Sequence, residues 1–103
     1  MTKKITTKPF DIVNYIHSEK DIEDYLNAVF EYGSDEEMVQ ALANVIRAKG
    51  ILKTSKETGV SRSGLYKTFI NNGGSPTLAT LNKLVKSFGY NLSITPPREA
   101  KTV

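Results

Sequence analysis

The sequence holds no cysteine, no tryptophan and a single histidine, His17. Without thiols there is no disulfide staple, no thiolate zinc site and no cysteine nucleophile. His17 has no second imidazole to share a metal with and no nucleophile placed beside it by a recognisable motif; it reads as a surface residue at the end of a segment. A small nuclease using His17, Tyr66 and a lysine would also need carboxylates paired at metal-binding spacing, and none stands apart from the ordinary acidic helix face. The catalytic and metal-ligand sets are therefore empty, no cofactor is called for, and the chain reads as a non-enzyme. Long apolar runs are missing as well. Nothing approaches the roughly 18 apolar residues that a bilayer span needs. Residues 1–9 are polar and basic, with no apolar segment behind them of the kind a signal peptide carries. The expectation is a cytoplasmic protein with no membrane partner.

What is present is charge, sorted along the chain. At 103 residues there is room for one domain with a modest core. Residues 1–37 carry four Lys against nine Asp or Glu, a balance of −5, and residues 38–103 carry ten Lys or Arg against Glu57 and Glu99, a balance of +8. The two sum to the net +3. A field concentrated in this way on one half is what a phosphate backbone rewards.

In order, residues 1–9 read as a flexible basic arm. Phe10 to Ile16 has apolar residues spaced three apart, which suits a helix, and β-branched residues, which suit a strand; both stay open. Ser18 with Asp21 marks a helix start, and Ile22, Leu26, Val29 and Phe30 give it one buried face until Gly33. Ser34 or Asp35 caps the next helix, which runs to about Lys49 with Met38, Ala41, Leu42, Val45 and Ile46 inward, and Gly50 closes it. After Gly50, Thr54 and Ser55 stand where a helix packed under a turn usually presents an aliphatic residue and an alanine. Ser55 is small enough, and a slight rotation would let Leu52 replace the apolar contribution that Thr54 lacks. Residues 70–75, INNGGS, read as a loop. Ser75 with Pro76 marks the start of a helix whose stripe is Leu78, Leu81, Leu84, Val85 and Phe88. Beyond Gly89, Leu92 and Ile94 alternate with polar residues as a short extended piece, followed by a tail.

The most telling stretch is KTSKETGVSRSGLYKTF, Lys53 to Phe69. Gly59 suits a left-handed helix end, Ser61 can cap a following helix, Val60 and Leu65 turn inward, and Arg62, Ser63, Tyr66 and Lys67 stay outside. A short helix, a tight turn and a second helix with a basic front is the helix-turn-helix pattern. From Asp35 to Ile94 the chain resembles the phage-repressor-like domain of the Xre/Cro family. More widely, FDIVNYI, EDYLNAVFEYG, ALANVIRAKG, ETGVSRSGLYKTF and GGSPTLATLNKLVKSFGYNL resemble the addiction-module antidote proteins, a branch of HigA-like antitoxins, over about residues 10 to 92.

That resemblance implies an all-α, lambda-repressor-like bundle of about five helices, with an N-terminal helical extension and a short C-terminal extended segment. It divides the chain into the arm, an acidic extension over 10–33, the helix-turn-helix domain over 34–95 and a flexible tail over 96–103. It implies an antitoxin that binds a RelE/HigB-like toxin and represses its own operon on double-stranded operator DNA as a homodimer. A phage-type or stand-alone repressor without a toxin partner is the alternative. Carried over by position, Arg62 to Phe69 is the recognition helix with Ser61 as its cap. Arg62 and Ser63 are then placed to enter the major groove, where Arg pairs with guanine O6 and N7. Lys67 reaches a base or a phosphate. Tyr66 stacks, bonds to phosphate or fills a crevice between helices. Lys53, Lys56 and the backbone of residues 71–74 are phosphate contacts. Glu19, Glu23 and Glu31 are expected to meet the toxin, and the Leu92 to Thr95 edge and the surface near Phe88 are expected to form the dimer.

Overall fold

A computed structural model describes residues 11–71 and 75–96, and every regular element among them is helical. The expected arm over 1–9, most of the 71–74 backbone and the tail after Pro96 lie outside the described residues. The described part of the ambiguous stretch, residues 11–16, forms a 3-10 turn, Ile12–Tyr15. Its cap decides the matter: the Asp11 carboxylate accepts the Val13 N–H at 3.1 Å, a local bond that competes with any extended pairing.

Helix α1 (Glu19–Tyr32) starts at Ser18, whose hydroxyl accepts the Asp21 N–H at 3.1 Å, while Asp21 accepts the His17 N–H at 2.8 Å. Ile22 and Leu26 are buried, with Tyr25, Val29 and Phe30 packed partly against the core. Helix α2 (Asp35–Lys49) has Ser34 as its cap, in a complete capping box with Glu37. Residues 41–46 are buried without interruption, so the middle of α2 is covered on every side and forms the axis of the fold. Gly33 lets α1 end directly against it: a Cβ there would lie 2.7 Å from the Val29 carbonyl and 3.2 Å from Glu37 Cβ.

Helix α3 (Ile51–Thr58) departs from expectation. Leu52 does not rotate inward; it is 63% exposed, while Thr54 is buried at 1%. The Thr54 hydroxyl donates to the Gly50 carbonyl at 2.9 Å, so its polar atom enters the interior already bonded. Helix α4 (Arg62–Leu65) runs on into a π turn, Tyr66–Ile70, closed by the Asn71 N–H on the Tyr66 carbonyl at 2.7 Å. Leu65 and Phe69 are fully buried.

Helix α5 (Leu78–Ser87) begins later than Ser75 and Pro76 suggest. Thr77 is the cap, its hydroxyl accepting the Thr80 N–H at 3.2 Å. Leu78 is thereby the first helical residue and is 73% exposed, whereas Leu84, Val85 and Phe88 carry the buried face. Gly89 ends the helix with φ +96°, and the Tyr90 N–H reaches back to the Val85 carbonyl. Residues 91–96 are irregular and exposed, with Ile94 wholly so. Phe88 lies in the core, with the Lys49 ammonium 5.8 Å from its ring centroid.

Candidate nucleic-acid interface

The join between α3 and α4 is held by hydroxyls. Gly59 takes the left-handed conformation, φ +79° and ψ +2°, which L side chains adopt only at a cost. The Thr58 hydroxyl donates to the Thr54 carbonyl at 2.8 Å and accepts the Val60 N–H at 3.1 Å. The Ser55 hydroxyl donates to the Val60 carbonyl at 2.6 Å. Both backbone groups of Val60 are therefore satisfied from α3, and the Val60 side chain packs against the core. Ser61 then accepts the Gly64 N–H at 3.0 Å, as the sequence predicts for a cap. A Cβ on Gly64 would lie 3.1 Å from that hydroxyl and 3.3 Å from Val60 Cγ1, so the first turn of α4 sits close on the join. Each such bond stabilises by only about 0.5–1.5 kcal/mol, but together they fix one helix against the other.

This frame places Lys53, Lys56, Ser61, Arg62, Ser63 and Lys67 on the exposed surface, with the Tyr66 side chain beside them at 42% exposure. The Ser63 and Ser61 hydroxyls are 3.3 Å apart. Among the described residues Lys53, Lys56, Arg62 and Lys67 enter no ion pair, as is also true of Lys83 and Lys86 on α5. The other described Lys and Arg side chains are committed: Lys20 to Asp24 at 3.3 Å, Arg47 to Asp11 at 2.8 Å and Lys49 to Glu19 at 3.1 Å. Glu57 is the one carboxylate between Met38 and Pro96.

The acidic residues are dispersed around α1 and do different things. Glu19 is anchored, accepting from Lys49 and from the Tyr90 hydroxyl at 3.3 Å. Its pKa is lowered, first by the Lys49 hydrogen bond and then by the Lys49 charge, with Lys53 adding a smaller attraction. Burial, followed by the Glu19 charge, raises that of Tyr90. Glu23 lines a groove between α1 and the segment after α5, with Phe30, Tyr90 and Leu92. Glu31 is exposed on the last turns of α1. Sequence reasoning missed the Glu19–Lys49–Tyr90 cluster, whose members lie up to 71 positions apart, and the Asn44 amide buried in α2.

The model of a family described as "Probable addiction module antidote protein" matches residues 6–96. The chain belongs to this family. A member's role as antidote points to an antitoxin, and so to a toxin partner of some kind. The chain is 32% identical over 100 residues to an uncharacterised protein of Haemophilus influenzae, covering 97% of this chain and all of the relative. It is also 34% identical over 59 residues to an uncharacterised protein of Methanocaldococcus jannaschii, covering 57% of this chain and 62% of that one. No solved structure matches. No helix among the described residues is long and apolar enough to cross a membrane.

Proposed function

We propose that the protein is the antitoxin of a type II toxin–antitoxin module, cytoplasmic and homodimeric. It captures a RelE/HigB-like toxin and represses its own operon through α3 and α4, acting as a lambda-repressor-like helix-turn-helix. The antidote family supports the toxin half. The observation that carries the DNA half is the exposed set Lys53, Lys56, Arg62 and Lys67, without ion pairs among the described residues, around a join locked by Thr58, Ser55 and Ser61. Arg62 and Ser63 read base edges, Lys67 and Tyr66 assist from the next turn, and Lys53 and Lys56 meet phosphate. One reading helix spans few base pairs, so a two-fold dimer over half-sites about 34–36 Å apart supplies the affinity. The exposed Leu92 and Ile94 supply its contact. Glu19, Glu23 and Glu31 form a charged rim that speeds toxin capture more than it tightens the complex.

Titration on duplex DNA at fixed salt tests the reading head. Arg62→Ala is expected to lose about 1–3 kcal/mol on the operator and to blur sequence preference. Lys56→Ala is expected to weaken all duplexes alike and to lower the salt slope by about one. Equal losses on operator and random DNA for Arg62→Ala would remove it from base readout. Binding to, and rescue from, the product of the adjoining gene tests the toxin half; failure of both leaves a stand-alone repressor.

A further inference from the structure

Between Asp21 and Ile46 the sequence has seven carboxylates (Asp21, Glu23, Asp24, Glu31, Asp35, Glu36 and Glu37) and no Lys, Arg or His. These residues build most of α1 and all but the end of α2. On the side of α1 away from Glu23, a largely apolar groove runs between the two helices, lined by Tyr25, Ala28, Val29, Tyr32, Glu37 and Gln40. Tyr32 stands 64% exposed at its edge. Tyr25, two turns earlier on α1, is held from below: the Asn44 amide donates to its hydroxyl at 2.8 Å and accepts from Gln40 at 3.2 Å. Asn44 is itself only 7% exposed, so the Tyr25 ring is fixed before anything arrives. Gly33 keeps the end of the groove free of side-chain atoms.

The chemistry of the groove selects its occupant. A second copy of this chain, packed on the groove about a two-fold axis, would bring Glu37 and its neighbours Asp35 and Glu36 in the acidic first turn of α2 against their own copies, and like charges across an interface are disfavoured. Nucleic acid is repelled for the same reason. A cationic segment with apolar length is favoured, and arginine fits better than lysine. Its stem covers the apolar floor, while its planar guanidinium stacks on a tyrosine ring and pairs with a carboxylate.

We propose that the α1–α2 groove walled by Tyr25 and Tyr32 docks an arginine-bearing amphipathic segment of the toxin. This rests on the antitoxin reading and deepens it, separating an anchoring groove from the steering rim of Glu19, Glu23 and Glu31.

The test is titration of the full chain against the purified product of the adjoining gene, with duplex DNA binding measured in parallel. Tyr32→Ala removes an exposed anchor and is expected to weaken toxin binding about thirtyfold, mainly through faster dissociation. Ala28→Arg, at an exposed helical position, fills the groove with the wrong charge and is expected to cost at least as much. Tyr32→Phe keeps the ring and should stay within about threefold of wild type. DNA affinity should be unchanged in all three. Should Tyr32→Ala melt early, Ala28→Arg decides. Wild-type toxin affinity in both Tyr32→Ala and Ala28→Arg would overturn the groove and leave the antitoxin reading standing. No binding by wild type would overturn both. A dimer of the free protein that dissociates in Tyr32→Ala would overturn the proposal by giving the groove to a second copy.

Discussion

Helix α2 turns Ala41, Leu42, Val45 and Ile46 into the core, while α3, one residue further along, has Thr54 and Thr58 as its buried positions and Ile51 as a half-buried one. The first spans 15 residues and carries a capping box; the second spans eight and has no side-chain cap at its start. Isolated helices shorter than about 12–15 residues are marginal in water, so α3 needs help that α2 does not. Apolar burial gives α2 stability without direction. Hydroxyl-to-carbonyl bonds give α3 direction with little burial, which suits an element that must hold α4 at one angle while its other faces stay polar.

The difference is largest on truncation. Leu42→Ala, at 1% exposure, is expected to destabilise by about 2–5 kcal/mol, the transfer loss plus a residual cavity. Urea unfolding followed by circular dichroism measures it. In α3, Ser55→Ala withdraws the side-chain donor from the Val60 carbonyl and is expected to cost about 1–2 kcal/mol. If α3 is oriented by this bond, operator affinity should fall further than the lost stability explains. Thr54→Val should be milder, within about 1 kcal/mol in either direction, because the Gly50 carbonyl keeps the Thr54 N–H at 3.0 Å and a β-branched side chain still fills the site. A Thr54→Val loss as large as that of Leu42→Ala would collapse the distinction between the two helices.

The same contrast explains what the sequence reveals. Periodicity finds α1, α2 and most of α5 because Ile22, Leu26, Leu42, Val45, Leu84 and Val85 are buried for being apolar. It fails where burial depends on hydrogen bonding: Thr54 scores as polar, yet its hydroxyl is satisfied within its own helix, so the substitute Leu52 was not needed. At α5 the Ser75 and Pro76 signal points too early, because the Thr77 hydroxyl bond sets the start and leaves Leu78 out of the stripe. The π turn leaves no sequence mark, since it is a one-residue slip in backbone bonding. Among the candidate binding residues, exposure of Arg62, Ser63 and Lys67 followed from the Gly59 and Ser61 signals. The groove at Tyr25 and Tyr32 did not, because it depends on how α1 and α2 approach each other at Gly33.

The smallest difference is electrostatic and lies at the helix ends. Both last-turn cations of α2 are paired, Arg47 with Asp11 and Lys49 with Glu19, whereas that of α3, Lys56, enters no ion pair among the described residues. The Glu19 pKa lies below its ordinary value of 4.5, chiefly through the Lys49 hydrogen bond. A carboxyl whose pKa is depressed by folding stabilises the folded state above its ordinary pKa, and that contribution fades as pH falls through the folded value. The Glu19 side chain is 70% exposed, so the pair should contribute only about 0.2–1 kcal/mol, less at high salt. Glu19→Gln is therefore expected to lower stability slightly at neutral pH, with the gap to wild type closing as both are acidified below the carboxylate range. The difference between their urea midpoints, measured at neutral pH and at about pH 3, cancels the titration of the other acids. A gap that persists unchanged in acid would show that the effect does not arise from the charge of the pair. Lys56→Gln, by contrast, should leave stability unchanged at both pH values and register only on DNA.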